Sequence, residues 1–316
     1  MEKKPLIILT GPTAVGKTAL SIRLAKKVNG EIISADSMQV YKGMDIGSAK
    51  VMPAEMDGIK HHLIDVLEPS EEFNIVKFKE LSQIALEEIY AKGKIPILAG
   101  GTGFYIQSVL YDIDFEENDN DKAYRQKLEA LAKTEGGVQK LYEMLQEIDP
   151  KSAEIIHENN VKRVIRALEF YEETGTLISD HNEEQSKKES PYNFCYFVLN
   201  DDREKLYKNI DKRVDIMLEN GLVSEVKKLY EKGYTKDMVS MQGLGYKEIL
   251  EYLNGEISLE EALYIIKRDT RHFAKRQLTW FRREKTVTWI NKQDFSYDDD
   301  AILNYILTNL KEKAIL

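Results

Sequence analysis

The chain of 316 residues has little cysteine and no long apolar run, and both deficits restrict what it can be. Its one cysteine, Cys195, cannot form an intramolecular disulfide or a cysteine-based zinc site, which fits a reducing compartment. The strand-like residues on either side of it predict that Cys195 is buried. No stretch of about 18 apolar residues predicts a transmembrane helix. The apolar segment before Gly11 is too short for a signal peptide. We therefore predict a cytoplasmic protein without a membrane partner.

The chain also lacks a positive charge excess, because 54 acidic residues oppose 45 basic ones and the formal net charge is −9. This balance argues against a protein that coats DNA, although it is compatible with a local basic surface. Hydrophobic residues make up 42% of the chain, which is enough for a sizeable core. The length predicts one large domain or two unequal ones.

Short apolar runs alternate with helical patterns through the first hundred residues. The strand-like runs are residues 6–9, 32–33, 63–66 and 95–98, and the main helical patterns are residues 17–28 and 75–90. Buried strands that alternate with helices indicate a parallel sheet covered on both faces.

The middle of the chain has a different character. An acidic stretch at 112–121 is followed by helical spacing with almost no strand signal, and residues 179–190 are polar and linker-like. Strand signal returns at 194–199 and 287–290. We therefore predict core residues 1–115 and 191–316, interrupted by a helical insertion at 116–190.

A phosphate-binding motif lies between the first strand and the first helix. It consists of Gly11, Pro12, Thr13, Ala14, Val15, Gly16, Lys17 and Thr18, which match G-x-x-x-x-G-K-[ST]. Backbone N–H groups and a helix N-terminus would hold phosphate oxygens, Lys17 would add a full charge, and Thr18 would place its hydroxyl on Mg²⁺. Together with the pattern of strands and helices, the motif predicts an α/β fold with a P-loop NTPase-like parallel sheet flanked by helices and a small all-helical insertion domain. It does not identify the phosphate compound.

Three ordinary P-loop classes are alternatives. A GTPase needs an Asp-x-x-Gly motif, which is absent, and the guanine-type match at Asn291, Lys292, Gln293 and Asp294 lies far beyond one G domain, so we interpret it as a turn after a strand. A motor ATPase needs an acid after a strand, for which Asp65 is the candidate. A small-molecule kinase with a helical lid competes more strongly, and it predicts ATP as the donor.

An aspartate follows the second predicted strand. The carboxyl ends of neighbouring parallel strands share one crevice, so Asp36 is expected near the anion held by the P-loop. A carboxylate beside phosphate is costly unless it handles a metal, a proton or a donor group. From the residues alone, a capping or turn role is an equal alternative.

Six further blocks follow the P-loop, and with it they span most of the chain. They are SADSMQVYKGMDIGSAK at 34–50, HHLID at 61–65, GGTGFY at 100–105, RVIRALE at 163–169, GLGYKE at 243–248 and KRQLTWFR at 275–282. Together and in this order, the blocks resemble the bacterial tRNA dimethylallyltransferases, the IPP transferase family.

The resemblance implies a reaction in which N6 of the adenine at position 37 of tRNA, next to the anticodon, attacks C1 of dimethylallyl diphosphate. The P-loop with Lys17 would hold the diphosphate leaving group together with Mg²⁺. Asp36 would act as general base on the adenine amine, Thr102 would line the reaction channel, and Arg213 would reach the diphosphate. The alternatives are a helix-start role for Thr102 and a solvated helix charge for Arg213.

A basic stretch at 267–285 carries eight basic residues and two acidic ones. Helical spacing places Arg268, Arg271, Lys275 and Arg282 on one face, with aromatic residues between them. By itself the pattern favours a solvated amphipathic helix, whereas the resemblance favours RNA binding. The tRNA contacts that it implies are Asp36, Ser37, Met38, Gln39, Thr102, Arg125, Lys162, Arg163, Val164, Ile165, Arg166, Gly243, Leu244, Gly245, Tyr246, Lys247, Glu248, Lys275, Arg276, Gln277, Trp280 and Arg282.

The target adenine would be flipped into the channel, and the insertion would act as a mobile arm against the anticodon stem. His61 and His62 are adjacent and have no third ligand nearby, so packing is preferred to metal binding. We expect a monomer without an obligate protein partner. Three hypotheses stay open, namely a tRNA prenyltransferase, an ATP-dependent small-molecule kinase and a nucleotide-regulated RNA-binding module.

Overall fold

The computed structural model describes residues 3–115 and 122–316. The backbone divides into two compact units, one formed by Met1–Leu110 and Ser190–Leu316 and the other by Tyr111–Glu189. The inserted unit therefore begins at Tyr111, whereas the sequence pattern placed its start at residue 116. The stretch at 116–121, which the acidic composition singled out, lies outside the described residues.

The first unit contains one parallel sheet of six strands. They are β1 (Lys4–Thr10), β2 (Gly30–Ala35), β3 (His61–His62), β4 (Ile95–Gly100), β5 (Tyr192–Asn200) and β6 (Thr288–Asn291), in the spatial order β3-β2-β4-β1-β5-β6. Every pairing between neighbours is parallel. The predicted P-loop NTPase-like sheet flanked by helices is confirmed.

Helices account for most of the remaining described chain. They are α1 (Lys17–Val28), α2 (Ile75–Ala91), α3 (Gly103–Leu110), α4 (Lys122–Ala132), α5 (Gly137–Ile148), α6 (Pro150–Ile155), α7 (Val161–Thr174), α8 (Ile178–Ser186), α9 (Arg203–Glu219), α10 (Leu222–Glu231), α11 (Tyr246–Leu253), α12 (Leu259–Phe281) and α13 (Asp299–Glu312), with short 3₁₀ turns at Ser240–Gln242 and Lys292–Phe295. None of the helices in the described part of the chain has both the length and the hydrophobicity that crossing a bilayer requires.

The apolar runs form the core of the sheet because they lie on central strands. Residues 6–9 of β1 are fully buried, as are Ile97 and Leu98 of β4. Burial on both faces explains why these strands read as continuous apolar runs rather than alternating ones. Cys195 on β5 is also buried, as its neighbours predicted.

The strand predicted at 63–66 is wrong. The structure ends β3 at His62, and Leu63 and Asp65 have φ values of 63° and 54°. An extended strand requires a negative φ, so the chain turns there although the residues are apolar. The same turn pairs Asp65 with the buried ammonium of Lys50, at 2.5 Å, and Asp65 does not directly follow a strand as the acid of a motor ATPase would.

The inserted unit is an all-helical bundle with its own core. Leu128, Leu141, Leu145, Val164 and Leu168 are buried against one another. The linker predicted at 179–190 is wrong, because α8 covers most of it. None of the residues of α8 is buried, so the helix needs no apolar run and its composition resembles that of a linker.

The arrangement of strand ends positions the functional residues. Thr10 of β1 and Ala35 of β2 both pair with Gly100 of β4. The P-loop, the segment that begins at Asp36 and the turn at Gly101 therefore leave the sheet at the same edge.

Candidate active site

The P-loop depends on two glycines. A Cβ at Gly11 would lie 2.3 Å from the carbonyl oxygen of Leu199, so only glycine fits there. Gly16 has a φ of 99° and begins α1 without a side-chain cap, and the first turn of α1 contains no acidic residue. The N–H groups at this helix N-terminus therefore point toward a site for an anion.

Lys17 is anchored to the loop that it serves. Its Nζ donates to the carbonyl oxygens of Gly11 at 3.0 Å and of Pro12 at 2.7 Å. Burial, together with the nearby charge of Arg213, lowers the pKa of Lys17 to about 7, and the Asp36 carboxylate opposes part of this effect. Positive charge at this point is thus costly in the free protein, and an anion would stabilise it.

Asp36 combines the two roles that the sequence left open. Its Oδ1 accepts hydrogen bonds from the N–H groups of Met38 at 2.8 Å and Gln39 at 3.3 Å, which is a turn-forming role. Burial nevertheless raises the pKa of Asp36, against those hydrogen bonds and against the charges of Lys17 and Arg213. The carboxylate therefore belongs to the same electrostatic cluster as the P-loop lysine.

Arg213 extends from α9 into this cluster. Burial lowers the pKa of its guanidinium, and Asp36 opposes that effect. Lys17, Asp36 and Arg213 all line one cavity. The structure thus favours the placement of Arg213 beside the phosphate site over a solvated position on the helix surface.

The cavity is partly apolar. Ile32, Val51 and Ile64 line it together with polar residues, and His61 also contributes. Sequence reasoning missed this apolar set because the residues are distant in the chain. Strand alternation is the signal that was available, since residues 32 and 34 point to the same face of β2 and Asp36, just after the strand, lines the same cavity. The remaining lining residues are Thr13, Thr18, Ser21, Ser34, Gln39, Ser48, Ala49, Ala99, Gly100, Gly101, Phe273 and Gln277.

Thr102 immediately precedes α3. Its N–H donates to the carbonyl oxygen of Ala35 at 3.3 Å, and its own carbonyl oxygen accepts from Tyr105 and Ile106. The helix-start role is therefore observed, and the hydrogen bond to Ala35 ties α3 to the residue that precedes Asp36.

Gln277 was predicted to contact tRNA, but it is only 6% exposed. Its Oε1 accepts from the N–H of Thr13 at 2.9 Å, and its Nε2 donates to the carbonyl oxygen of Gly101 at 2.9 Å. The side chain is occupied by the P-loop and the turn after β4, so it positions those two segments.

Trp280 lies one helical turn further along α12. A Cβ on Gly103 would come 2.1 Å from Trp280 Cδ1, so the indole lies directly on that glycine. Phe273, Gln277 and Trp280 thus form one inward face of α12 by their i, i+4, i+7 spacing.

The predicted basic face of α12 is partly neutralised. Arg268 pairs with Asp269 at 2.7 Å, and Arg271 pairs with Asp211 at 2.5 Å. Lys275, Arg276 and Arg282 are exposed. The positive surface therefore concentrates in the last two turns of α12 and just beyond.

The block at 243–248 is mostly internal. Tyr246 is fully buried and donates to Glu225 at 2.8 Å, and Glu248 is buried and accepts from the N–H of Gly245. Glu225 also accepts from the N–H groups of residues 45–47. Burial leaves Tyr246 no surface, and Glu248 almost none, for a direct tRNA contact. Gly243 packs against Met38, Leu244 is half-buried, and Lys247 is exposed.

The predicted tRNA contacts in the inserted unit divide in the same way. Val164 and Ile165 lie in its core, whereas Lys162 and Arg163 are exposed. Residues 162–165 are consecutive on one helix, so their side chains point in different directions and cannot all contact the same partner. Arg125 and Arg166 both reach Glu169, at 3.4 Å and 3.3 Å. Ser37, on the first unit, is half-buried.

The donor set fits Mg²⁺ only as a partner of bound phosphate. Among the described residues, no group of three or more histidine, cysteine, aspartate or glutamate side chains is arranged to hold a metal ion. Thr18 lines the cavity, and Mg²⁺ typically combines a hydroxyl ligand with water and phosphate oxygens. His62 pairs with Glu31 at 2.8 Å and His61 with the carbonyl oxygen of Ile59 at 2.9 Å, so both histidines pack.

The guanine-type match forms a turn, as predicted. Asn291 ends β6, a 3₁₀ turn begins at Lys292, and Asn291 donates to Asp294 at 3.0 Å. Asn291 and Asp294 are therefore engaged with each other, and Lys292 pairs with Asp299 outside the motif.

Comparison with known proteins places this geometry in a family. The family model described as IPP transferase matches residues 39–284. The chain is 63% identical over 313 residues to a tRNA dimethylallyltransferase of Lachnoclostridium phytofermentans, with 99% of each chain covered. It is 56% identical over 299 residues to a tRNA dimethylallyltransferase of Acetivibrio thermocellus, with 95% of each covered.

Solved structures agree. A full-length tRNA isopentenylpyrophosphate transferase from Bacillus halodurans is 46% identical, with a TM-score of 0.73 and 99% and 98% of the two chains covered. A eukaryotic dimethylallyltransferase, described as acting on tRNA, is 35% identical, with a TM-score of 0.80 and 93% and 75% covered. The family model spans more than three quarters of the sequence, and the relatives match it almost end to end, so this chain belongs to the IPP transferase family.

Proposed function

We propose that the protein transfers a dimethylallyl group from dimethylallyl diphosphate to N6 of the adenine at position 37 of tRNA and releases diphosphate. One observation carries the proposal, namely that the P-loop lysine, the carboxylate of Asp36 and the guanidinium of Arg213 line the same cavity. Family membership supports the activity, since the relatives are named for it.

The cationic residues of the cavity would stabilise the diphosphate leaving group. As the bond from C1 to the bridging oxygen breaks, its electron pair goes to the diphosphate. Lys17, Arg213 and the N–H groups at the start of α1 would stabilise that charge. Mg²⁺, when bound by Thr18 and diphosphate oxygens, would neutralise further charge on the same group.

The acceptor side is matched by Asp36. The adenine N6 forms a bond to C1 and loses a proton, which Asp36 accepts. Oδ1 is held by the N–H groups of Met38 and Gln39, so Oδ2 is the atom that can receive the proton. An amine conjugated with a purine ring is a poor nucleophile, and removing its proton during attack lowers the barrier.

The apolar residues explain the choice of donor. Ile32, Val51 and Ile64 line the cavity that contains the phosphate cluster, and a hydrocarbon tail would displace water from them. A phosphorylated sugar or a second nucleotide offers no such apolar group. The relatives likewise do not support the kinase alternative. The cytoplasmic location expected from the sequence stays part of this proposal.

A donor competition assay tests the function. The protein is incubated with tRNA and either carbon-labelled dimethylallyl diphosphate or ATP labelled in its terminal phosphate. We expect label in tRNA from the allylic donor and none from ATP. Phosphoryl transfer from ATP to a small acceptor would replace the proposal by a kinase, and tRNA binding without either transfer would leave only an RNA-binding module.

A further inference from the structure

We propose that Phe104 is a stacking platform for an unpaired nucleobase of the tRNA, one that neighbours the reacting adenine. This inference rests on the proposed function. Phe104 is the second residue of α3 and is 42% exposed. The aromatic residues around it behave differently, because Tyr105, Phe73 and Phe78 pack into a buried ring cluster.

The phenyl ring is held in place by the protein. Its centroid lies 6.0 Å from that of Trp280, and the two rings are inclined at 70°, which is an edge-to-face contact. The indole of Trp280 is fixed in turn, because it packs on the backbone of Gly103. A ring with a defined position loses little conformational freedom when a ligand stacks on it.

The surroundings of this pair are cationic. The guanidinium of Arg283 lies 6.0 Å from the Trp280 ring centroid, and Lys275, Arg276 and Arg282 are exposed on the same end of α12. An aromatic surface beside phosphate-binding side chains is the combination that holds unpaired RNA, in which bases stack and the backbone is neutralised. A protein partner would be expected to meet a wider apolar patch.

The position of Phe104 links this surface to the chemistry. Thr102, two residues before it, donates through its N–H to the carbonyl oxygen of Ala35, and Asp36 follows Ala35. A base stacked on Phe104 would therefore be held at a fixed position relative to the end of β2, which Asp36 follows. When the reacting adenine leaves the loop, its neighbour loses a stacking partner, and Phe104 would replace it.

The test uses full-length protein and tRNA that carries 2-aminopurine next to the reacting adenine. Stacking on Phe104 is expected to quench the fluorescence of the probe on binding. Phe104→Ala is expected to weaken tRNA binding by about 5- to 150-fold and to abolish the quenching. Phe104→Tyr should restore both, whereas Phe104→Leu, which keeps bulk without an aromatic face, should not.

Two controls isolate the effect. Tyr264→Ala removes another exposed aromatic, 62% exposed, from the opposite end of α12 and should leave tRNA binding unchanged. The affinity for inorganic pyrophosphate should be equal in all variants, which reports an intact P-loop. Phe104→Ala or Phe104→Leu binding and quenching like the parent would overturn the inference. That result leaves transfer by the parent protein intact, whereas absence of transfer by the parent would refute the proposed function instead.

Discussion

Gln277 of α12 accepts a hydrogen bond from the backbone N–H of Thr13 at 2.9 Å, so the helix with the basic surface is joined directly to the P-loop. The same amide donates to Gly101 at 2.9 Å, which fixes the turn after β4 relative to the P-loop. One buried side chain therefore sets the spacing between the leaving-group site and the segment that leads to Thr102.

Gln277→Glu is expected to lower kcat at least about tenfold, because a carboxylate cannot donate to Gly101 and adds negative charge beside the diphosphate site. The KM for tRNA should change little, since the side chain is internal. Steady-state kinetics with both substrates measures this split. Lys275→Ala, two residues away and exposed, is the matched control and should raise the KM for tRNA with kcat retained. A tRNA KM that rises with kcat unchanged in Gln277→Glu would assign Gln277 to RNA contact.

Asp36→Asn is expected to reduce the single-turnover rate about 100- to 10,000-fold, the range for loss of a general base. The amide oxygen can still accept from Met38 and Gln39, so the turn should persist. Filter binding should show tRNA affinity close to that of the parent protein. A rate within threefold of the parent would remove Asp36 from the proton transfer.

The acid limb of the pH–rate profile provides a second test of the same carboxylate. Burial raises the pKa of Asp36, and the base must be ionised to accept the proton. Activity should therefore fall with decreasing pH at a higher pH than an ordinary aspartate would give. Single-turnover rates measured across the acid range should show this limb in the parent and lack it in Asp36→Asn.

Lys17 should make pyrophosphate binding dependent on pH. Its pKa is lowered to about 7, so the ammonium loses its proton as the pH rises through that value and the attraction for an anion declines. Pyrophosphate itself also titrates, and Lys17→Arg, whose charge persists, corrects for that. The affinity ratio of parent to Lys17→Arg, measured by calorimetry, should fall from pH 6 to pH 9. A constant ratio would show that the lysine is not perturbed.

In helix α7 of the inserted unit, substitutions on the buried and exposed faces should affect stability and tRNA binding differently. Ile165→Ala should lower the free energy of unfolding by about 2–5 kcal/mol, because Ile165 is a buried core residue. Lys162→Ala, on the exposed face, should leave stability unchanged and weaken tRNA binding modestly. Denaturant unfolding and tRNA binding of both variants check this division. Equal stability of the two variants would contradict the burial of Ile165.

Local patterns explain how far the sequence predicts this fold. Strands such as β1 and β4 were predictable, because a strand that is buried on both faces consists of a nearly continuous run of apolar residues. The bounds of β3 were not predictable, since an apolar residue such as Leu63 has the same hydropathy whether its φ is positive or negative. α8 was missed for the opposite reason, because a helix without a buried face carries no apolar period.

The site shows a similar limit. The P-loop and Asp36 were found because a motif and a strand end place them at one edge of the sheet. Gln277 and Tyr246 were predicted to contact tRNA, and the structure shows that each is buried and hydrogen-bonded to a distant segment. Helical spacing identifies apolar faces, but it cannot reveal that a polar side chain has an internal partner far away in the sequence.

A crystal structure with tRNA and a donor analogue in which sulfur replaces the bridging oxygen would test the central claim most directly. We predict the diphosphate on the N–H groups at the start of α1, with Lys17 and Arg213 in contact. The adenine N6 should lie about 3–3.5 Å from C1 and within hydrogen-bond reach of Asp36. A diphosphate bound outside the P-loop, or an adenine that approaches C1 without Asp36, would contradict the account.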